Sequence, residues 1–231
     1  MLVVGMLNSV HMARWLEIFS DVDIEFDLFP STADRGVHPK IKTLISNSSR
    51  TKAAFTIPFI GKLSSLLLAR IKNYTGWELR GLLLRYLVQK GRYKVVHLVE
   101  LQNAGYLYLR ALGHHHGEVG HRLIISPWGS DINWFMRYKN HRSKIQMLLK
   151  KADFLAPECE RDRALAIGLG FTGKFFEPLP FAGGVSKKLD PEQLLSADRK
   201  IIAIKGYQGW SGEALSALNA IKDNKSYFVD K

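Results

Sequence analysis

The sequence predicts an α/β fold: a parallel sheet with helices packed on both of its faces. Short apolar runs rich in β-branched residues recur along the chain, at Leu2–Met6, Val95–Val99 and Leu123–Ser126. Most are followed by a polar loop and then by apolar residues spaced three and four apart, the period of a helix. Strands alternating with helices close a parallel sheet, because each crossover helix must return the chain to the same edge direction. No internal repeat competes with that reading.

In chain order, Leu2–Met6 reads as a buried first strand and Leu7–His11 as its loop. Met12–Phe19 then reads as a helix with Met12, Trp15, Leu16 and Phe19 on its apolar face. Ile24–Phe29 alternates apolar and acidic residues and stops at Pro30, which suits a strand near an edge. Ser31–Thr51 is polar, basic and without period, and reads as loop. Leu63, Leu66, Leu67 and Ile71 make one helical face in Phe55–Lys72. Trp77–Lys90 is a clearer helix, with Leu79, Leu82, Leu83, Tyr86 and Leu87 as its core stripe and Gly91 at its end. Both helices carry Arg and Lys beside the apolar stripe, so a membrane-surface face and a core helix with solvated edges both fit.

Val95–Val99 is the third strand, followed by Glu100–Asn103 and a helix from Ala104 to Leu112. The run His114–His116 reads as a solvated turn, since consecutive histidines point in different directions on any regular backbone. Leu123–Ser126 is a fourth strand and Pro127–Asp131 its loop. His141–Ala152 is a helix with Ile145, Leu148 and Leu149 inward, Asp153–Ala156 a fifth strand, and Glu158–Leu169 a helix that Gly170 ends. Phe175–Lys200, proline- and glycine-bearing and then polar, reads as a linker. Ile201–Ile204 is a short buried-strand candidate. A loop with Gly206, Gly209 and Gly212 follows it, and a helix through Ala214, Leu215, Leu218 and Ile221, with Ser211 as its N-cap. Ser226–Val229 is a last strand candidate. A strand, a glycine loop and a helix N-terminus can face an anion with backbone N–H groups, with Lys205 adding charge; an ordinary βα turn has the same pattern.

The chain has 231 residues and a formal net charge of +12, which draws anionic partners such as acidic lipid headgroups and phosphorylated substrates. Nucleic acid is disfavoured, because the chain has no basic recognition helix, zinc pattern or strand-borne aromatic interleaving. The single cysteine, Cys159, excludes an internal disulfide and fits a reducing compartment such as the cytoplasm. No apolar run reaches the roughly 18 residues that a membrane-spanning helix needs.

Parallel sheets bind ligands at the carboxyl ends of their strands. Three loops there hold the polar residues of interest: Asn8–His11, Glu100–Asn103 and Trp128–Asp131. Each has a plainer structural role available. His11 serves a fold as readily as a ligand, Asp131 can cap the helix that begins at Ile132, and Glu100 and Gln102 can simply solvate a strand end.

At these loops, and at the late strand–loop–helix, the chain resembles family 4 glycosyltransferases of the GT-B architecture. The segments that carry the resemblance are VVHLVELQNAGY (95–106), IISPWGSDI (124–132), KKADFLAPECERDRALAIGLG (150–170), PFAGGV (180–185) and IIAIKGYQGWSGEALSAL (201–218), with His11 before the first helix. The resemblance implies a Rossmann-like N-terminal, acceptor-side domain over 1–176, a linker over 177–200, and from 201 to 231 the start of a truncated donor-binding domain. It implies a glycosyltransferase moving a sugar from a nucleotide-sugar donor to the hydroxyl of a glycan or lipid-linked acceptor, with retention and without a metal or other cofactor. The positive charge then fits two readings, a cytoplasmic enzyme in peripheral contact with an anionic membrane and plain solubility. His11 and Asp131 would then be catalytic; Gly129, Ser130, Lys205 and Gly206 would bind the donor; Asn8, Glu100 and Gln102 would bind the acceptor. Trp128 stands where the family usually has histidine. The family's pair of glutamates seven residues apart has no counterpart after Lys205, where Glu213 is the only glutamate. A non-catalytic acceptor-side fragment is therefore the competing expectation.

Overall fold

The structure is a computed structural model that describes residues 1–19, 22–32, 36–47, 51–53, 70, 79–90, 93–113, 120–181, 201–209 and 212–227. The helical face over residues 63–71, the start of the Trp77 helix, His114–His116, the Ser211 cap and most of the linker lie outside the described residues.

Seven strands form one sheet: β1 (Leu2–Gly5), β2 (Phe26–Pro30), β3 (Thr51–Ala53), β4 (Val95–Val99), β5 (Arg122–Ser126), β6 (Phe154–Leu155) and β7 (Lys174–Phe175). Their spatial order is β3-β2-β1-β4-β5-β6-β7, and every neighbouring pair is parallel. The α/β expectation is met. The period-2 pleat divides each strand between two cores: Leu2 and Val4 of β1, with Val96 and Leu98 of β4, face one core, whereas Val3 and Val99 face the other. The second core is closed by α1 (Val10–Glu17) and α2 (Pro39–Asn47), through Met12, Trp15, Leu16 and Ile41. The first is closed by α3 (Leu79–Gln89), α4 (Tyr106–Leu112), α5 (Lys139–Lys151) and α6 (Glu160–Gly168). Ile145, Leu148 and Leu149 of α5 are fully buried, as the three-four spacing requires.

Several elements depart from expectation for identifiable reasons. Within the segment read as loop, Pro39 starts α2 at the first helical position, where its fixed φ and missing N–H carry no penalty. The His38 Nδ1 accepts from the Lys40 amide at 3.3 Å, and Lys40 pairs with Glu17 of α1 at 2.8 Å. In α3 the buried positions are Gly81, Leu84 and Val88, while Leu79, Leu82 and Tyr86 are exposed. Leucines on every side of that helix leave no unique stripe; Leu83 and Leu87 of the expected stripe pack against the core, while Leu79, Leu82 and Tyr86 do not. A Cβ on Gly81 would stand 3.9 Å from the Ala111 backbone, an ordinary packing distance, so this face lies against α4. Residues Leu101–Gly105, expected as loop and helix start, form a π-helical turn ahead of α4. Residue 170 ends α6 as expected, with Gly170 at φ +96.

By compactness the chain divides into Met1–Gly184 and Val185–Lys231, so the first unit runs past the expected boundary at 176. Phe181 explains the extension, since it is buried and stacks on Trp15 at 5.2 Å. In the second unit, Ile201–Ile204 is not a buried strand; Ile201 is 88% exposed and the segment pairs with no described strand. A β-run without a neighbour has no ladder to satisfy its amides. Instead β8 (Gln208–Gly209) and β9 (Gly212–Glu213) make a small antiparallel pair, followed by α7 (Ala214–Asp223). The helix is where its spacing puts it. Lys225–Tyr227 forms a 3-10 turn over the first half of the last strand candidate, whose residues 228 and 229 lie outside the described residues.

Candidate functional site

The strand order reverses direction between β1 and β4, and ligand crevices of open parallel sheets open at such a switch, at the carboxyl ends. Loops after β1, β4, β5 and β6 crowd this pole.

After β1, a turn closed by the Ser9 amide on the Met6 carbonyl (3.0 Å) leads into α1. Ser9 is the N-cap, and its hydroxyl accepts from the His11 amide at 3.2 Å. His11 therefore sits inside the first turn of α1, not in the loop before it. Asn8, on the same turn, has a buried Oδ1 with no hydrogen-bond partner among the described residues.

After β4, Glu100 holds φ at 71°, a left-handed conformation rare outside glycine. The strain is held by its own side chain, which reaches forward to cap the π-helical turn. Oε1 accepts from the Ala104 amide at 2.6 Å and Oε2 from the Asn103 amide at 2.8 Å. Only 2% exposed, this carboxylate is raised above the ordinary glutamate range by burial, against the opposing pull of those amides. Glu100 is thus committed to the backbone and does not offer itself to an acceptor.

After β5, Asp131 closes the Trp128–Asp131 turn. Its Oδ2 accepts from the Trp128 amide at 2.9 Å and, across to the neighbouring loop, from the Leu101 amide at 2.7 Å. The Gln102 side-chain amide donates to the Asp131 carbonyl at 3.2 Å. Asp131 is 4% exposed, and burial, then the nearby Glu100 charge, pushes its carboxyl well above the usual range. Asp131 and Gln102 pin two loops together, so Asp131 acts here as a positioning residue and does not line the open site. Ser130 contributes its carbonyl to the Trp134 amide at 3.0 Å, a turn contact.

What does open to solvent is a cavity of about 190 Å³ lined by His11, Trp128, Gly129, Glu158 and Phe181. His11 meets Trp128 edge-on, with ring centroids 5.7 Å apart, and Trp128 lies 5.9 Å from Phe181. Glu158, from the loop after β6, accepts from the Phe181 amide at 3.2 Å. Burial raises its carboxyl above the ordinary value, with the Phe181 amide opposing. Beside the cavity, Arg161 donates to the Gly129 carbonyl at 3.2 Å and is paired with Asp162 at 2.8 Å.

No family model, curated protein or solved structure matches this chain. The site must be read from its own chemistry.

Of the residues expected in a site, the structure brings His11 and Gly129 together at the cavity. Asn8, Glu100, Gln102, Ser130 and Asp131 sit in the loops after β1, β4 and β5 and are not among its lining residues. Lys205 and Gly206 belong to the second unit, where the Lys205 ammonium lies 4.9 Å from the Tyr207 ring centroid. Glu158 and Phe181 escaped the sequence reading. The signal for Glu158 was its place directly after a strand, in a fourth loop at the same pole. Phe181 gave no such signal, since it lies in a stretch that reads as linker. Among the described residues, no group of three His, Cys, Asp or Glu side chains is placed to hold a metal ion.

Proposed function

We propose that this chain carries the acceptor-side domain of a glycosyltransferase, which moves a sugar from a nucleotide-sugar donor to an acceptor hydroxyl with retention, in glycan or glycolipid synthesis. The observation that carries the reading is the cavity at the carboxyl ends of a parallel sheet, walled by aromatic rings and holding one carboxylate and one imidazole. Ligand sites of this kind are mostly apolar with a few convergent polar groups. Glu100 and Asp131 serve it indirectly: Glu100 caps the turn after β4, and Asp131 ties that turn to the loop that bears Trp128 and Gly129. Stabilisation of a leaving nucleoside diphosphate calls for positive or dipolar groups, a role that rests on the resemblance for Lys205 and Gly206.

A second reading is a folded acceptor-side domain that has no working donor site within this chain. The exposure of Ile201–Ile204, where the resemblance calls for a buried strand, favours it. Calorimetric titration of the 231-residue chain with a panel of nucleotide sugars, followed by transfer assays with soluble and lipid-linked acceptors, separates the two. Weak donor binding with acceptor binding intact supports the second reading, and transfer supports the first. Absence of both refutes the family of readings. Among the described residues, no helix is long and apolar enough to cross a membrane. The single cysteine supports a reducing compartment such as the cytoplasm, and the net charge of +12 supports peripheral contact at an anionic leaflet, which co-sedimentation with anionic against neutral vesicles tests.

A further inference from the structure

The residues that line the cavity differ in what they can offer a ligand. Trp128 and Phe181 supply apolar ring surface, His11 an imidazole, and Glu158 the carboxylate. Among the described residues, no lysine or arginine lines it. The adjacent guanidinium, Arg161, is already engaged by the Asp162 carboxylate and the Gly129 carbonyl. A phosphate placed here would stand beside a carboxylate, with no lysine or arginine among the described lining residues to offset the repulsion.

Glu158 is well placed to accept. Its Oε1 takes the Phe181 amide and the Gly129 amide also donates to the carboxylate, which with about four acceptor sites keeps capacity for a ligand hydroxyl; a Cβ on residue 129 would crowd Oε2 at 3.1 Å. An ionised carboxylate is an acceptor only, and makes short, strong hydrogen bonds with hydroxyl donors. The neighbouring indole complements this, because its negative π-face attracts C–H groups made slightly positive by adjacent oxygens.

We infer that Glu158 is the hydroxyl-accepting residue of this cavity and that it selects a neutral, hydroxyl-rich ring such as a pyranose over a phosphate-bearing group. The inference rests on the reading of this cavity as the acceptor-side sugar site, and gives that site a specificity-determining residue. A carboxylate among aromatic rings also suits an organic ammonium, but a chain of net charge +12 repels cations at a distance.

The test is ligand-observed saturation-transfer NMR on the 231-residue chain. The probes are the methyl hexopyranosides of glucose, galactose and mannose, uridine diphosphate, and tetramethylammonium. At least one hexoside is expected to bind saturably, with affinity reduced about tenfold or more by Glu158→Gln and by Gly129→Ala, and with no displacement by the other two probes. Glu158→Gln keeps an oxygen for the Phe181 amide, and circular dichroism checks that each variant is folded. Should a variant unfold, the wild-type Gly129 and Phe181 amide resonances decide, since both must shift on hexoside addition. No hexoside binding, binding unchanged in Glu158→Gln, or displacement by the diphosphate or the ammonium overturns the inference. Hexoside binding that needs Glu158, without any sugar transfer, removes the enzyme reading and leaves the inference standing. Transfer with acceptor affinity indifferent to Glu158→Gln does the reverse.

Discussion

Replacing Glu100 by glycine should harm this protein less than replacing it by alanine, a reversal of the usual order. Two effects meet at the residue. The carboxylate satisfies the Ala104 and Asn103 amides at 2.6 and 2.8 Å, and either substitution leaves those donors without it. A buried donor stripped of its partner costs about 1–3 kcal/mol, so about 2–4 kcal/mol is expected once loss of a buried charge is set against two amides. The second effect is the backbone, where φ is 71°. Alanine keeps that strain, on the order of 1 kcal/mol, and glycine does not. Glu100→Gly should therefore be more stable than Glu100→Ala by about 1 kcal/mol. Urea denaturation followed by tryptophan fluorescence gives both values, provided the slopes of the transitions agree. Equal stabilities, an alanine variant more stable than the glycine variant, or both within about 0.5 kcal/mol of wild type would refute the account of Glu100 as a strained cap.

Three further outcomes can be measured. Asp131→Asn keeps an oxygen for the Leu101 and Trp128 amides and relieves a buried charge beside Glu100; it should match or exceed wild-type stability at pH 8, by up to about 1 kcal/mol, whereas Asp131→Ala should lose about 2–4 kcal/mol in the same melts. The sign follows from a raised folded-state pKa: that stability is fully present below the unfolded value and is lost as pH rises, so the asparagine advantage should shrink toward pH 4. His97 behaves oppositely, since burial lowers it to about 4 and its stability is present above the unfolded value of 6.5 and lost as pH falls. By pH 5 its share of the loss is about 2 kcal/mol, and His97→Gln should flatten the fall in urea midpoint between pH 6.5 and 5 by that amount. Finally, Gly173→Ala would drive a Cβ into the Asp153 carbonyl oxygen, which backbone cannot yield cheaply, while Gly120→Ala meets nothing within 4 Å among the described residues. The first should lower stability by about 2 kcal/mol or more and the second by less than about 0.5 kcal/mol in thermal melts.

The sheet was legible because β-branched runs and three-four spacing are local signals, and α5 shows the rule at its best. α2 was hidden by a polar background in which only Ile41, Leu44 and Ile45 keep the helical period, and its start depends on a His38–Pro39 pair. In α3, leucine on all sides erased the difference between core and surface, which only packing against α4 shows. At the site, residue types and loops were readable, but orientation was not. Nothing local says that Asp131 turns inward to hold Leu101 or that Glu100 bends forward over its own loop. Phe181 was invisible for a related reason, since a linker residue becomes a wall only when the chain folds back onto Trp15.

The Asp131 carboxylate, accepting from amides of two loops at once, has a consequence for how this surface can diversify. The segments after β4 and β5 are fastened as one piece, so an insertion in either must disturb the other. The segments that bear Glu158 and Phe181 are not tied into that piece through Asp131. Changes of ligand preference are therefore expected to accumulate at those two positions, beside a fastened pair of loops that stays the same.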